Sequence, residues 1–116
     1  MTTTTQITIK PAVGHWVVRA GGAVLGETSR ALQLIEGDLP PVIYFPREDI
    51  GTAFFDASDH TTTCPLKGQA SYYSIMSKSH TYENAVWSYE DPKPEVAEIK
   101  GYLAFHVQDG VAVEQI

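Results

Sequence analysis

The residues best suited to chemistry lie in the segment Asp59–Trp87, which holds the only cysteine of the chain, a lysine in a turn and several tyrosines. Cys64 is a candidate catalytic nucleophile, because a thiolate beside a base can attack an electrophilic carbon or phosphorus centre. His60 precedes it on the same extended segment at a distance of about 13 Å, so the two side chains share a face without touching. A lone cysteine among apolar residues is otherwise a small buried hydrophobe. Both roles of Cys64 stay open at this point.

Two cations are candidates for ligand binding. Arg47 and Lys67 each lie in a predicted turn beside apolar strands, which would present a positive charge at the rim of a pocket. Such a position suits a carboxylate or phosphate group on a ligand. The alternative for each residue is a solvated turn charge that binds nothing.

Aromatic side chains can line a groove with flat apolar surface and polar tips. The candidates are Tyr44, Tyr72, Tyr73, Trp87 and Tyr89. Because successive side chains of a strand alternate, Tyr72 and Tyr73 must lie on opposite faces, and part of this set is expected to belong to the core. The predicted ligand-binding residues are Tyr44, Arg47, Lys67, Tyr72 and Trp87.

Composition argues against several partners and cofactors. Eight Lys and Arg against fourteen Asp and Glu give a formal net charge of −6, and the basic residues are scattered along the chain. Nucleic-acid binding, which rests on concentrated positive charge, is therefore not expected. The four histidines lack HxH or HExxH spacing, and a single cysteine cannot form a Cys-rich zinc site. We predict no metal and no other cofactor.

Length and hydropathy bound the class of protein. The chain of 116 residues has the length of one domain with one core, so residues 1–116 are predicted to be a single domain. Its longest apolar runs are a few residues, against about 20 for a membrane span, so no membrane association is expected. Met1–Thr5 lacks the basic start and apolar stretch of a signal peptide, and a cytoplasmic location is expected.

Two nucleotide-related patterns fail on their chemistry. Gly21–Thr28 has the glycine spacing of a phosphate-binding loop, but Glu27 stands where a lysine must neutralise phosphate. Nucleotidyl transfer of the polymerase type needs two carboxylates on one strand face to hold a metal ion. The only acid-x-acid spacing, Glu36–Asp38, lies in a turn rich in glycine and proline.

Short segments of alternating apolar and polar residues, rich in β-branched and aromatic side chains, predict a mainly β fold. The predicted strands are residues 6–10, 16–19, 23–29, 31–35, 42–45, 53–55, 60–63, 69–76, 82–89, 102–107 and 111–115, the last two as a hairpin around Asp109-Gly110. Gly21-Gly22 predicts a hairpin turn, and Cys64–Gly68 predicts a type I turn closed by a left-handed glycine. Pro46–Asp49 predicts one helical turn, and residues 94–100 predict one short helix. We expect a single compact antiparallel β domain whose sheet curls or packs on itself.

Six segments in this order carry a family resemblance: Glu27–Ala31, Tyr44–Asp49, Thr63–Gly68, Ala70–Tyr73, Ala85–Tyr89 and Ile99–Phe105. Over most of its length the chain resembles the bacterial family catalogued as domain of unknown function 427. The resemblance implies a compact β fold of the folded-tent type and no agreed activity, with a nucleotidyltransferase label sometimes attached. Tent-like relatives often hold zinc on paired CxxC motifs, whereas this chain has only Cys64.

Three functions are compatible with these residues. We rank first the binding of an unknown small molecule in a pocket near the turn Cys64–Gly68. An anionic ligand is one form of this hypothesis. The second is an enzyme that uses Cys64 as nucleophile, or a nucleotidyltransferase as the family label suggests. The third is a homo-oligomeric interaction domain whose exposed strand edges pair. Whether the protein is an enzyme stays open in the sequence.

Overall fold

Strand formation follows the alternating pattern along most of the chain. The computed structural model describes residues 6–116, which contain ten β-strands and three 3-10 helices. The strands are β1 (Ile7–Pro11), β2 (Trp16–Ala20), β3 (Ala23–Thr28), β4 (Leu32–Glu36), β5 (Val42–Tyr44), β6 (Phe55–Cys64), β7 (Gly68–Met76), β8 (Thr81–Ser88), β9 (Ala104–Phe105) and β10 (Val111–Gln115). The 3-10 helices span Arg47–Asp49, Thr52–Phe54 and Pro94–Ile99. Met1–Thr5, on which the expectation about a signal peptide rests, lies outside the described residues.

The strands form three sheets in which every pairing is antiparallel. Their orders are β1-β4-β5, β10-β2-β3 and β6-β7-β8-β9. Gly21 and Gly22 make the tight β2–β3 turn at φ +58° and +84°, which glycine adopts without strain. The predicted mainly β fold is confirmed, and so are the predicted hairpins β2–β3 and β7–β8.

Two short backbone contacts join the three sheets. Phe45, which follows β5, exchanges both backbone hydrogen bonds with Leu103, which precedes β9, at 2.8 and 2.9 Å. Gly26 in β3 forms an isolated antiparallel bridge with Ile50. Residues 44–51 therefore contact all three sheets, and they lie on the connection between β5 in one sheet and β6 in another.

Alternation along this connecting segment fills two hydrophobic cores. Phe45 is fully buried in the first core, where its ring meets Phe105 edge to face at 5.6 Å. The preceding residue, Tyr44, is buried in the second core. The first core also contains Val18, Ala20, Leu25, Ile50, Ile75, Tyr82, Ala85, Val86, Leu103 and Val111. The second contains Leu34, Ala70, Tyr89, Val96, Ile99 and Ala104.

The predicted break between residues 53–55 and 60–63 is wrong. The structure has one strand there, β6, which stays extended through Asp56–Asp59. Its register against β7 shifts between Ala57 and Thr61, and such a bulge lets residues of low strand propensity remain in an edge strand. The Ser58 side chain in this bulge is hydrogen-bonded to Asn84 Oδ1 at 2.5 Å.

The predicted C-terminal hairpin is wrong in its pairing. Asp109-Gly110 does form a turn, but β9 pairs with β8 whereas β10 pairs with β2. The reason is burial, because Phe105 and Val111 fill the first core from two different sheets. The predicted helix at residues 94–100 is a 3-10 helix, in which Val96 has non-helical dihedrals of φ −126° and ψ 29°.

The close approach of β3 to Ile50 makes Gly26 a sensitive position. Gly26→Ala is expected to destabilise the protein by about 1–3 kcal/mol, because the new methyl group would overlap the Asp49 carbonyl and lie 3.0 Å from Cα of Ile50. Gly51→Ala is the matched control, since its methyl group would lie 3.3 Å from the Leu25 carbonyl and needs a smaller adjustment. Urea unfolding measures both variants. Equal midpoints for the two variants would contradict the close approach.

Candidate functional site

The turn Cys64–Gly68 reverses the chain between β6 and β7 as predicted. Lys67 N–H donates to the Cys64 carbonyl at 3.3 Å, and Gly68 adopts φ +109°, the left-handed region that favours glycine. The Lys67 carbonyl in turn accepts a hydrogen bond from Lys93 N–H at 3.0 Å. The turn is therefore held against the segment that follows β8, and the Lys67 side chain is directed by a fixed backbone.

Lys67 is engaged by a carboxylate of the chain itself. Its Nζ lies 2.5 Å from Glu36 Oε1 at the end of β4, and the two side chains are only 14% and 18% exposed. The same ammonium lies 6.0 Å from the centroid of the Tyr89 ring. An anionic ligand at this turn would have to compete with Glu36 for the lysine, in a site where water screens little.

The hydroxyl groups of the second core gather beside this ion pair. Trp87 Nε1 donates to the Tyr44 hydroxyl at 3.3 Å. Burial, opposed by the hydrogen bond from Trp87 and supported by the nearby Glu36 and Cys64, raises the pKa of Tyr44 to about 12. Burial likewise raises the pKa of Tyr89. Both phenols therefore stay protonated at neutral pH and are not bases there.

The predicted site residues thus divide into two groups. Tyr44 and Trp87 are in direct contact, and the partly buried Cys64 and Tyr72 lie near enough to Tyr44 to influence its pKa. Arg47 belongs to a different network. His60 packs edge to face on Tyr72 at 4.6 Å, so it contacts an aromatic ring on β7.

Arg47, whose side chain is 37% exposed, is hydrogen-bonded by several groups of the chain. Its guanidinium donates to the Gly101 carbonyl at 3.1 Å, to Ser88 Oγ at 3.3 Å and to Glu90 Oε2 at 2.6 Å. Its Cζ lies 5.7 Å from the centroid of the Tyr73 ring. Tyr73 packs against the first core and Tyr72 against the second, which confirms that these neighbours lie on opposite faces of β7.

The other side of Trp87 faces a pocket of about 370 Å³ between the three sheets, which we call the tryptophan pocket. It is lined by Trp16, Gln33, Pro41, Val42, Ile43, Trp87, Phe105, Val107 and Val113. Both indole N–H groups already have partners, since Trp16 Nε1 donates to the Val13 carbonyl at 3.2 Å and Trp87 Nε1 donates to Tyr44. The Gln33 side chain makes no hydrogen bond to another described residue, so its amide is the polar group left for a ligand.

Sequence reasoning identified only one residue of this pocket, Trp87. Trp16 on β2 and Gln33 on β4 belong to different sheets, and neither has a local pattern that distinguishes it from an ordinary strand residue. The rarity of tryptophan, of which the chain has two, was the only sequence signal for Trp16, and Gln33 had none. The pocket forms because the topology brings residues of three sheets together, and a local sequence pattern does not show this.

Among residues 6–116 the structure contains no group of three or more His, Cys, Asp or Glu side chains arranged to hold a metal ion. Within the same range, no helix has both the length and the apolar character to cross a bilayer.

The buried ion pair at the turn gives a stability prediction. Glu36→Gln is expected to destabilise the protein by about 2–4 kcal/mol, because it leaves the Lys67 ammonium without its carboxylate in a poorly solvated place. Lys67→Met should recover part of this loss in the double variant, since both buried charges are then gone. Urea unfolding of both single variants and the double variant measures the coupling.

Glu114→Gln is the matched control for the buried pair. It breaks the Arg19–Glu114 pair, whose side chains are about half exposed, and should cost about 0–1 kcal/mol. Additive effects of the two substitutions at residues 36 and 67 would contradict a direct interaction between them.

The 3-10 helix that carries Arg47 is anchored through Asp49. Thr28 Oγ1 donates to Asp49 Oδ2 at 2.7 Å, and Arg30 Nη2 donates to the same oxygen at 3.1 Å. These hydrogen bonds hold the pKa of Asp49 below its ordinary value, and the bond from Thr28 has the largest effect. The ionised carboxylate therefore stabilises the fold at neutral pH.

Asp49 should contribute to acid denaturation. Because its folded-state pKa lies below the unfolded-state value of about 3.8, its contribution is complete above that value and is lost as the pH falls through the folded-state pKa. Asp49→Asn is expected to be less stable at neutral pH and to lose less stability between about pH 5 and about pH 2. Urea unfolding across this range measures the effect, with exposed Glu48→Gln as control. Parallel profiles for wild type and Asp49→Asn would contradict the anchoring role.

Comparison with known proteins identifies a family without assigning an activity. A family model described as "Domain of unknown function (DUF427)" and named NTP_transf_9 matches residues 8–115. No curated protein matches the chain significantly. The matched residues include the turn Cys64–Gly68, the Arg47 network and the whole tryptophan pocket. The chain therefore belongs to the family of domain of unknown function 427.

Proposed function

We propose that the protein binds a small, uncharged, planar molecule in the tryptophan pocket. The observation that carries this proposal is the pair of indoles, Trp16 and Trp87, in the lining of one cavity of about 370 Å³. This volume lies within the usual range for small-molecule sites and admits a ligand of one or two rings. Large aromatic side chains supply apolar contact area that suits a flat ring.

The lining also indicates the polarity of the ligand. Among residues 6–116 no acidic or basic side chain lines the pocket, and a charged group buried there would lose its hydration without gaining a counter-charge. Gln33 offers one carbonyl acceptor and one amide donor side by side. A ring that carries an amide-like edge, with a donor beside an acceptor, would match both groups.

An anionic ligand at the turn Cys64–Gly68 is the weaker version of the binding hypothesis. Lys67 and Arg47, the two cations that motivated it, are paired with Glu36 and Glu90. Displacing the mostly buried Glu36 carboxylate would leave it without its cation, at a cost that the ligand would have to exceed. A neutral ligand in the tryptophan pocket requires no such exchange, and Trp87 connects the two regions through Tyr44.

Intrinsic fluorescence tests the proposal directly, because both tryptophans of the chain line the pocket. Titration with neutral heteroaromatic fragments is expected to change tryptophan emission saturably for those that bind. The variants Trp16→Phe and Trp87→Phe each keep one indole, and both should respond to the same fragment. A response in only one of them, or no saturable response to any fragment, would count against the pocket.

Gln33 provides the specificity test. Gln33→Met is expected to weaken an amide-bearing fragment by about 2–12-fold, the range for one lost hydrogen bond, and to leave a fragment without polar edges unchanged. Gln69→Met on β7 is the matched control, since Gln69 is exposed and lies outside the pocket lining. Isothermal titration calorimetry measures the dissociation constants. Equal effects of the two substitutions would contradict recognition by Gln33.

A further inference from the structure

A second cavity of about 510 Å³ lies at the other face of the first core, beside the β2–β3 turn. We call it the hairpin pocket. It is lined by Ala20, Gly21, Gly22, Ala23, Leu25, Phe54, Ile75, Met76, Ser77 and Lys78. None of these residues lines the tryptophan pocket, so the two cavities are independent sites.

The hairpin pocket has a buried apolar floor and exposed apolar walls. Leu25 and Ile75 form the floor and belong to the first core. Phe54 and Met76, each 45% exposed, form the walls. The Gly21-Gly22 turn adds a stretch without side chains, and a methyl group built on Gly22 would meet nothing within 4 Å. The result is an open apolar trough.

Of the residues that the structure describes, Lys78 is the only charged one in the lining of this trough. Its ammonium has no carboxylate within 4 Å among residues 6–116, in contrast to Lys67 and to every arginine of the chain. The neighbouring Ser77 is already engaged, since its hydroxyl donates to the His80 carbonyl at 2.7 Å and accepts from His80 N–H at 3.1 Å. An apolar trough with one available cation at its rim is complementary to a molecule with an apolar body and one negative charge.

We infer that the hairpin pocket binds a single molecule of an aliphatic carboxylate. Its hydrocarbon chain would lie along Leu25, Phe54 and Ile75, and its carboxylate would lie at Lys78. The apolar lining has no directional groups, which suits a flexible saturated chain better than a ring with fixed hydrogen bonds. Affinity should rise with chain length by roughly three- to fourfold for each methylene group that becomes buried. The charge should add roughly two- to fivefold, the amount typical of an exposed ion pair.

NMR of the methionine methyl groups tests the inference, because the Met76 methyl signal reports on the hairpin pocket. The chain has two methionines, Met1 and Met76, and the second lines the hairpin pocket. In protein labelled with 13C at the methionine methyl groups, Met76→Leu assigns the Met76 signal. Titration with decanoate is expected to shift that signal saturably while tryptophan emission stays constant, since neither tryptophan lines this pocket. Octanoate should bind about tenfold more weakly.

Charge variants test the carboxylate. Lys78→Gln is expected to weaken decanoate by roughly two- to fivefold and to leave decanol unchanged, whereas Lys10→Gln, an exposed lysine on β1, should alter neither. No shift of the Met76 signal overturns the site. Equal binding of decanoate and decanol to the wild type overturns the role of Lys78. A change in tryptophan emission with a silent Met76 signal places the carboxylate in the tryptophan pocket and also overturns the inference.

Discussion

The reciprocal backbone hydrogen bonds between Phe45 and Leu103 are the constraint on which the rest of the fold depends. They join the sheet β1-β4-β5 to the sheet β6-β7-β8-β9 at one residue on each side. Five residues later Ile50 bridges Gly26 and attaches the remaining sheet. A short segment thus fixes the relative positions of three sheets, and burial of Phe45 against Phe105 makes separation of the sheets costly.

This joint also creates the place where a ligand can bind. The three sheets meet around this segment, and strand residues from all three line the tryptophan pocket. Ile43 and Phe105 line it from the two strands beside the joint, while Trp16 and Gln33 reach it from other strands. Tyr44 turns to the second core and accepts the Trp87 indole N–H, so the same segment that joins the sheets also orients one wall of the pocket.

The local sequence pattern predicted the strands and turns better than it predicted which strands pair with each other. Glycines with positive φ at Gly21, Gly22 and Gly68 identify turns because few other residues adopt that backbone, and those turns are present. The Asp109-Gly110 turn is also present, yet its flanking strands pair with β8 and β2, because their burial in the first core outweighs the local hairpin preference. Strand β6 stays continuous for a similar reason, since its bulge is stabilised by pairing with β7. Pairing between residues distant in sequence carries no local signal.

The lack of a local signal for long-range contacts also explains why only some of the predicted site residues lie together in the structure. A cation in a turn is equally compatible with a ligand and with an internal carboxylate, and the carboxylates in this chain come from 31 and 43 residues away. Every arginine of the chain is paired in this way, as a planar group with several donors favours. Lys67 and Arg47, which look available in the sequence, therefore pair with carboxylates from distant segments of the chain. In the two pockets proposed for small molecules, the chemistry comes from the indoles, the Gln33 amide and Lys78.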